Sequence, residues 1–169
     1  MIRPASLLLA ATVCVAAIGF SAACSHSLAL LFYNPSASAP QGFYWRHPFA
    51  TYRTGEYAFV HLPAAPAALA AQRGYLPTNV LLLKPIAAVH GDVVCVRHGL
   101  AFINGHPVAR LLTRDAHGRP LQPWPGCRSL EADEVFLLSH NSPASFDGRY
   151  FGPVHYPDLR GVATALWTW

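Results

Sequence analysis

"TNVLLLKPIAAVHGD", residues 78–92, contains the only lysine in a 169-residue chain that has twelve basic residues. From Leu81 to Val89 every side chain except Lys84 is apolar. Asn79 on one side and Gly91-Asp92 on the other bound the run, and a short apolar segment between turn formers reads as a buried strand. Strand alternation puts Leu82, Ile86 and Ala88 on the lysine's side, with Leu81, Leu83, Ala87 and Val89 opposite. Pro85 holds Lys84 extended and predicts a sheet edge or a bulge at this point. Burial disfavours the charged amine and lowers its pKa from about 10.4. A neutral lysine can take a proton from a hydroxyl and so act as a general base. The competing reading is an edge-strand lysine that reaches solvent.

The rest of the chain beyond residue 33 carries mainly β signals. Strands are expected in "EYAFVHL" (56–62), "DVVCV" (92–96), "LAFIN" (100–104) and "EVFLLS" (134–139), with one short helix in "AAPAALAAQRG" (64–74). Asn104-Gly105 predicts a tight hairpin turn that needs positive φ. The turn-rich section 110–130 reads as an excursion from the sheet. The expected fold is mostly β: a short-stranded folded-over sheet or partial barrel over residues 34–169.

Residues 1–33 differ in character. No Asp, Glu, Lys or Arg lies between Pro4 and Trp45. Residues 5–24 would span about 30 Å as a helix, which matches a bilayer core. This predicts a single-pass N-terminal membrane anchor over residues 1–33. Arg3 would lie on the cytoplasmic side, and the following domain on the extracytoplasmic side of the inner membrane. A cleaved signal peptide and a lipid-bearing Cys24 are the alternatives for the same segment. The net charge of +4 is spread over scattered arginines, which argues against nucleic acid and leaves membrane lipid as the natural anionic partner. Cysteine and histidine spacings give no metal site, and no cofactor is implied. In an oxidising compartment Cys95 and Cys127 can pair, for about 3–4 kcal/mol of stabilisation.

Two further segments bear on chemistry. "NPSASAPQGFYW" (34–45) offers Ser36 and Ser38 in a Pro- and Gly-bounded loop; such hydroxyls are unreactive until a base takes the proton. "SFDGRYFGP" (145–153) spaces Ser145, Asp147 and Arg149 so that in a strand all three would face one way. There Asp147 and Arg149 could form a bidentate pair.

These segments, in this order, resemble the signal peptidase I family, and within it the conjugative-transfer, TraF-like branch. The resemblance rests on Ser38-Ala39-Pro40-Gln41-Gly42-Phe43-Tyr44, on Leu82 to Asp92, on the Asn104-Gly105 turn, on "GRPL" at 118–121, on the 145–153 motif and on "LWT" at 166–168. It implies a β-rich serine endopeptidase with a Ser–Lys dyad that cleaves exported preproteins or pilin precursors at the membrane surface. Ser38 would be the nucleophile and Lys84 the general base. Ser36 would assist the oxyanion hole, Ser145 would orient the lysine, and Asp147 with Arg149 would support the site. Ala39-Pro40 lacks the Met that leader peptidases place after the nucleophile, so Ser36 stays open as an alternative nucleophile. A self-cleaving repressor with a Ser–Lys dyad would need a DNA-binding segment that the sequence lacks, and it clashes with the expected membrane span; two other rivals differ in kind. One is a histidine-based hydrolase using His140. The other is a non-catalytic β-rich envelope protein or lipoprotein of a secretion or pilus assembly system.

Overall fold

The computed structural model describes residues 30–48, 51–140 and 142–169. The anchor expected over residues 1–33 lies, up to residue 29, outside the described residues. Among the described residues no helix is long and apolar enough to cross a membrane.

From Leu31 onward the chain is mostly β and the pairing is antiparallel. Eleven strands run β1 Leu31–Asn34, β2 Gly42–His47, β3 Tyr57–Val60, β4 Leu82–Ala88, β5 Val93–Arg97, β6 Leu100–Ile103, β7 His106–Arg110, β8 Cys127–Ser129, β9 Glu134–Leu137, β10 Val154–His155 and β11 Leu159–Thr168. Helix α1 covers Ala64–Gln72 and a single turn, α2, covers Gly148–Phe151. Seven strands form one sheet in the order β1-β2-β11-β3-β4-β9-β10, and four form a second, β7-β6-β5-β8.

Strand β4, the stretch that opened the sequence reading, lies inside the larger sheet. Its first half pairs with β3 (Lys84 opposite Ala58, Pro85 opposite Tyr57), and its second half also pairs with β9 (Ile86 opposite Leu137). The bulge expected near Pro85 falls between Ile86 and Ala88, where the β4–β9 register shifts. The bulge also explains why strict alternation fails beyond it. Leu82 and Ile86 join one core with Ala58, Val60 and Leu137, while Leu81 and Leu83 join another with Tyr44 and Phe59. Val89, assigned by alternation to the face opposite Ile86, packs against the same core as Ile86, and Ala88 enters a third core with Val94 and Phe136.

Three features depart from expectation. Residues 31–33, assigned above to the anchor, begin the β unit: Leu31–Asn34 pairs in register with Trp45–Gly42. Strand β11 was not anticipated, yet it runs between β2 and β3. The 145–149 segment is not a strand; it is a capped helical turn. The Asn104-Gly105 turn has the positive φ expected of it, 51° and 81°. Gly42 serves a different purpose, since a Cβ there would overlap the backbone of Trp167 on β11. A disulfide joins Cys95 on β5 to its register partner Cys127 on β8, 32 residues apart.

Candidate active site

Lys84 is 3% exposed. Its Nζ donates to Ser145 Oγ at 2.5 Å. Burial is the main influence on the amine and lowers its pKa from 10.5 to about 8; the Asp147 carboxylate opposes that shift and the Arg149 guanidinium adds to it. The amine is buried within the sheet, with the Ser145 hydroxyl as its hydrogen-bond partner, and burial disfavours its charged form.

Ser145 is held in turn by the buried ion pair. Arg149 and Asp147 are 1% and 0% exposed. Nε and Nη2 of Arg149 each donate to one carboxylate oxygen at 2.8 Å, the two-pronged geometry that suits a planar guanidinium. The remaining guanidinium hydrogens reach the carbonyl oxygens of Arg110, Ser142, Pro143 and Ser145. Asp147 caps α2 by accepting from the Arg149 amide, and it also accepts from the Ser139 amide at 3.1 Å. The pair is thus an internal peg. Its full set of partners offsets the desolvation of two charges and fixes the 142–145 backbone that carries Ser145. Gly148 is required beside it, because a Cβ there would come within 2.7 Å of the Leu137 carbonyl.

The loop serines lie between β1 and β2. Ser36 Oγ and Ser38 Oγ are 2.9 Å apart, and the Ser38 amide donates to Ser36 Oγ at 3.3 Å. Ser36, Ser38, Lys84 and Ser145 all line one cleft of about 840 Å³, whose other walls include Phe59, Leu62, Leu76 and Leu81. The hydrogen bond of the amine goes to Ser145 and that of the Ser38 hydroxyl to Ser36. Ser145, Asp147 and Arg149 are thus assembled around Lys84, while Ser36 and Ser38 face the same cleft as a second pair. His140 is exposed and lines the adjoining cleft with Ser38.

Three further residues shape the site; the sequence gives none of them a role, although Tyr44 ends the 38–44 motif. Asn34 makes the loop turn back: its side-chain nitrogen lies 2.9–3.2 Å from the carbonyl oxygens of Ser36, Ala39 and Pro40, and its oxygen accepts from the Ser36 amide. Tyr44 OH donates to the Pro40 carbonyl at 2.7 Å. Ser139 Oγ donates to the Ser38 carbonyl at 2.7 Å while its amide holds Asp147, so one buried residue links the loop to the ion pair. The only sequence signal for Ser139 is a hydroxyl closing an otherwise apolar strand.

The chain is signal-peptidase-like over nearly its whole length. It belongs to the signal peptidase family, peptidase S26, whose model matches residues 4–169. Among its relatives are proteins of conjugative transfer. The chain is 32% identical over 146 residues to the plasmid transfer protein TraF of Escherichia coli, covering 80% of this chain and 82% of that one. It is 35% identical over 150 residues to a probable conjugal transfer protein TraF of Sinorhizobium fredii, covering 80% and 76%. A crystal structure of a signal peptidase I from Enterococcus faecalis matches with a TM-score of 0.42 at 19% identity, over 68% of this chain and 98% of that one.

Proposed function

We propose that this chain is a serine endopeptidase in which Ser38 is the nucleophile and Lys84 the general base, acting on exported preproteins or pilin precursors in conjugative transfer. The observation that carries the reading is the buried amine of Lys84, with its pKa lowered to about 8, opening into the cleft that Ser38 and Ser36 line. At pH 7 a pKa of about 8 leaves about 9% of the amine neutral, whereas the ordinary value leaves about 0.03%, a gain of about 300-fold in available base. A neutral amine has two N–H donors and one lone pair. Ser145 accepts one N–H, which aims the lone pair into the cleft.

In the proposed reaction Lys84 removes the Ser38 proton as Oγ bonds to the scissile carbonyl carbon. The negative charge that develops on the carbonyl oxygen is met by the Ser38 amide and the Ser36 hydroxyl, which converge on each other in the resting site. Such a donor is worth about 3–4 kcal/mol. The C–N bond then breaks, with the leaving nitrogen taking the proton from the Lys84 ammonium. Water, deprotonated by the same lysine, hydrolyses the ester and restores the serine.

A membrane position suits both the sequence and the surface. Leu31, Tyr33, Phe43, Trp45, Trp167 and Trp169 are exposed large apolar residues on or just after β1, β2 and β11. Leu31 faces Trp45, and Tyr33 and Trp167 both face Phe43 across the strands, so the side chains share one sheet face. Aromatic rings of this kind favour the headgroup layer of a bilayer. This surface, with the expected N-terminal anchor, supports the proposal that the domain sits at the extracytoplasmic face of the inner membrane with lipid as a partner.

The test is direct capture. Wild-type protein incubated with a coexpressed exported precursor should process it and carry a transient acyl adduct on Ser38, detectable by mass spectrometry. Ser38→Ala and Lys84→Ala should each abolish processing while keeping the wild-type circular dichroism spectrum. An adduct on Ser36 would reassign the nucleophile. Full processing by Lys84→Ala would end the dyad reading, and indifference to both variants would favour the non-catalytic envelope protein.

A further inference from the structure

Ser38 belongs to two clefts. The first, described above, is lined by residues 32–38 and 79–84. The second, of about 660 Å³, is lined by residues 37–41 and by Pro85, Ile86 and Ala87, with Thr54, Gly55, Tyr57, His140 and Trp169 around them. The same two chain segments bound both, in the same order, and Ser38 and Lys84 mark the crossing point. A peptide laid along this pair of segments passes from one cleft to the other at the Ser38 hydroxyl.

The two halves of this track differ in what they offer. Over Leu82–Lys84, β4 pairs with β3 and with no other strand among the described residues, which leaves its other backbone edge for an extended strand. From Pro85 onward β9 occupies that edge: Leu138 donates to the Pro85 carbonyl and Ile86 lies opposite Leu137, while the Ile86 amide and carbonyl bond to Glu56 and Gly55 on the β3 side. A peptide in the second cleft therefore cannot add to β4. None of the lining residues is Asp, Glu, Lys or Arg. Its rim is the indole of Trp169, 63% exposed, whose backbone amide is tied to the Gln41 carbonyl at 3.1 Å and whose ring stacks on Tyr33 at 6.1 Å.

We propose that the second cleft is the binding site for the segment on the carboxyl side of the scissile bond, and that it selects uncharged residues with an apolar or aromatic side chain against Trp169. This inference rests on the peptidase reading above. The β4 edge would hold the acyl half that stays on Ser38, and the second cleft, without that edge, would hold the half that must leave.

The probes are decapeptides with alanine at the first and third positions before the scissile bond, identical except for Phe, Gly or Asp immediately after it. The methyl ester of the same acyl half, which has no segment beyond the bond, is the reference. For the wild type, kcat/KM should favour Phe over Asp by at least tenfold. In Trp169→Ala, measured on the full chain and divided by its own ester rate, that preference should fall at least fivefold; His140→Ala should reduce it in the same direction. An unchanged preference in both variants, or a wild type indifferent to the residue after the bond, would overturn the proposal. If Trp169→Ala lowered peptide and ester rates equally, the tryptophan would be structural and the proposal would fail. A wild type that cleaved neither peptide nor ester would instead refute the peptidase reading.

Discussion

Replacing Lys84 by methionine should inactivate the protein and yet make it more stable at neutral pH, by an amount that depends on pH. Methionine keeps the unbranched shape, one atom shorter, and loses the charge. The folded state holds the amine at a pKa of about 8 against 10.5 when unfolded. Between those values the unfolded chain binds more protons than the folded one, so the wild type gains stability as pH rises through that window. Below about pH 8 the penalty for burying the amine is present in full, and the 2.5-unit difference makes it about 3.4 kcal/mol. The methionine variant carries no such penalty. It does lose the hydrogen bond to Ser145, worth about 1 kcal/mol and largely independent of pH. The stability difference between variant and wild type should therefore shrink by about 2.5 kcal/mol between pH 7 and pH 10. Equilibrium urea unfolding of the two disulfide-intact proteins at matched pH would measure it, and every group common to both cancels in the difference. A difference that stays constant across this range would mean the amine is solvated, and the reasoning from burial would be wrong.

Other consequences are simpler. For the wild type, kcat/KM should rise with pH and level off with a midpoint near 8, since the neutral lysine is the active form; a bell centred near the ordinary histidine pKa would point to His140 instead. Ser145→Ala should lower kcat by about 10–100-fold through loss of the hydrogen bond that aims the amine, and Ser145→Thr should recover part of it. Asp147→Asn should destabilise the fold by about 3–5 kcal/mol in urea, because it leaves the Arg149 charge buried without its counterion. Cys95→Ser with Cys127→Ser should cost about 3–4 kcal/mol of stability while sparing kcat/KM, since the bridge ties β5 to β8 and neither cysteine lines either cleft.

What the sequence made legible follows from how local each cause is. The β4 run and the fate of Lys84 could be read because nine consecutive residues define that environment. The Asn104-Gly105 turn could be read because its backbone requirement lies in two residues. Strand β11 escaped notice because "LRGVATALWT" interrupts its apolar pattern with Arg160, Gly161 and Thr164, and its partners β2 and β3 lie far away in sequence. Strand β1 was hidden inside an apolar stretch that also suits a membrane helix. At 145–149 the spacing is equally consistent with strand and cap. Asp147 chose the cap because α2 and the Ser139 amide both present donors to it, and only the tertiary structure brings those donors together. Asn34, Tyr44 and Ser139 act through backbone carbonyls of the 36–40 loop, whose path is set by the whole sheet. Side chain–backbone bonds of that kind leave little trace in a single sequence.

The chain's composition allows the central claim to be measured without ambiguity. Lys84 is the only lysine, so protein labelled with 15N-lysine and free of a lysine-containing tag gives one side-chain Nζ resonance to follow through a pH titration. A midpoint near 8 is the predicted result. A midpoint near the ordinary lysine value of 10.5 would mean that the amine is protonated throughout the working range and cannot be the base that activates Ser38.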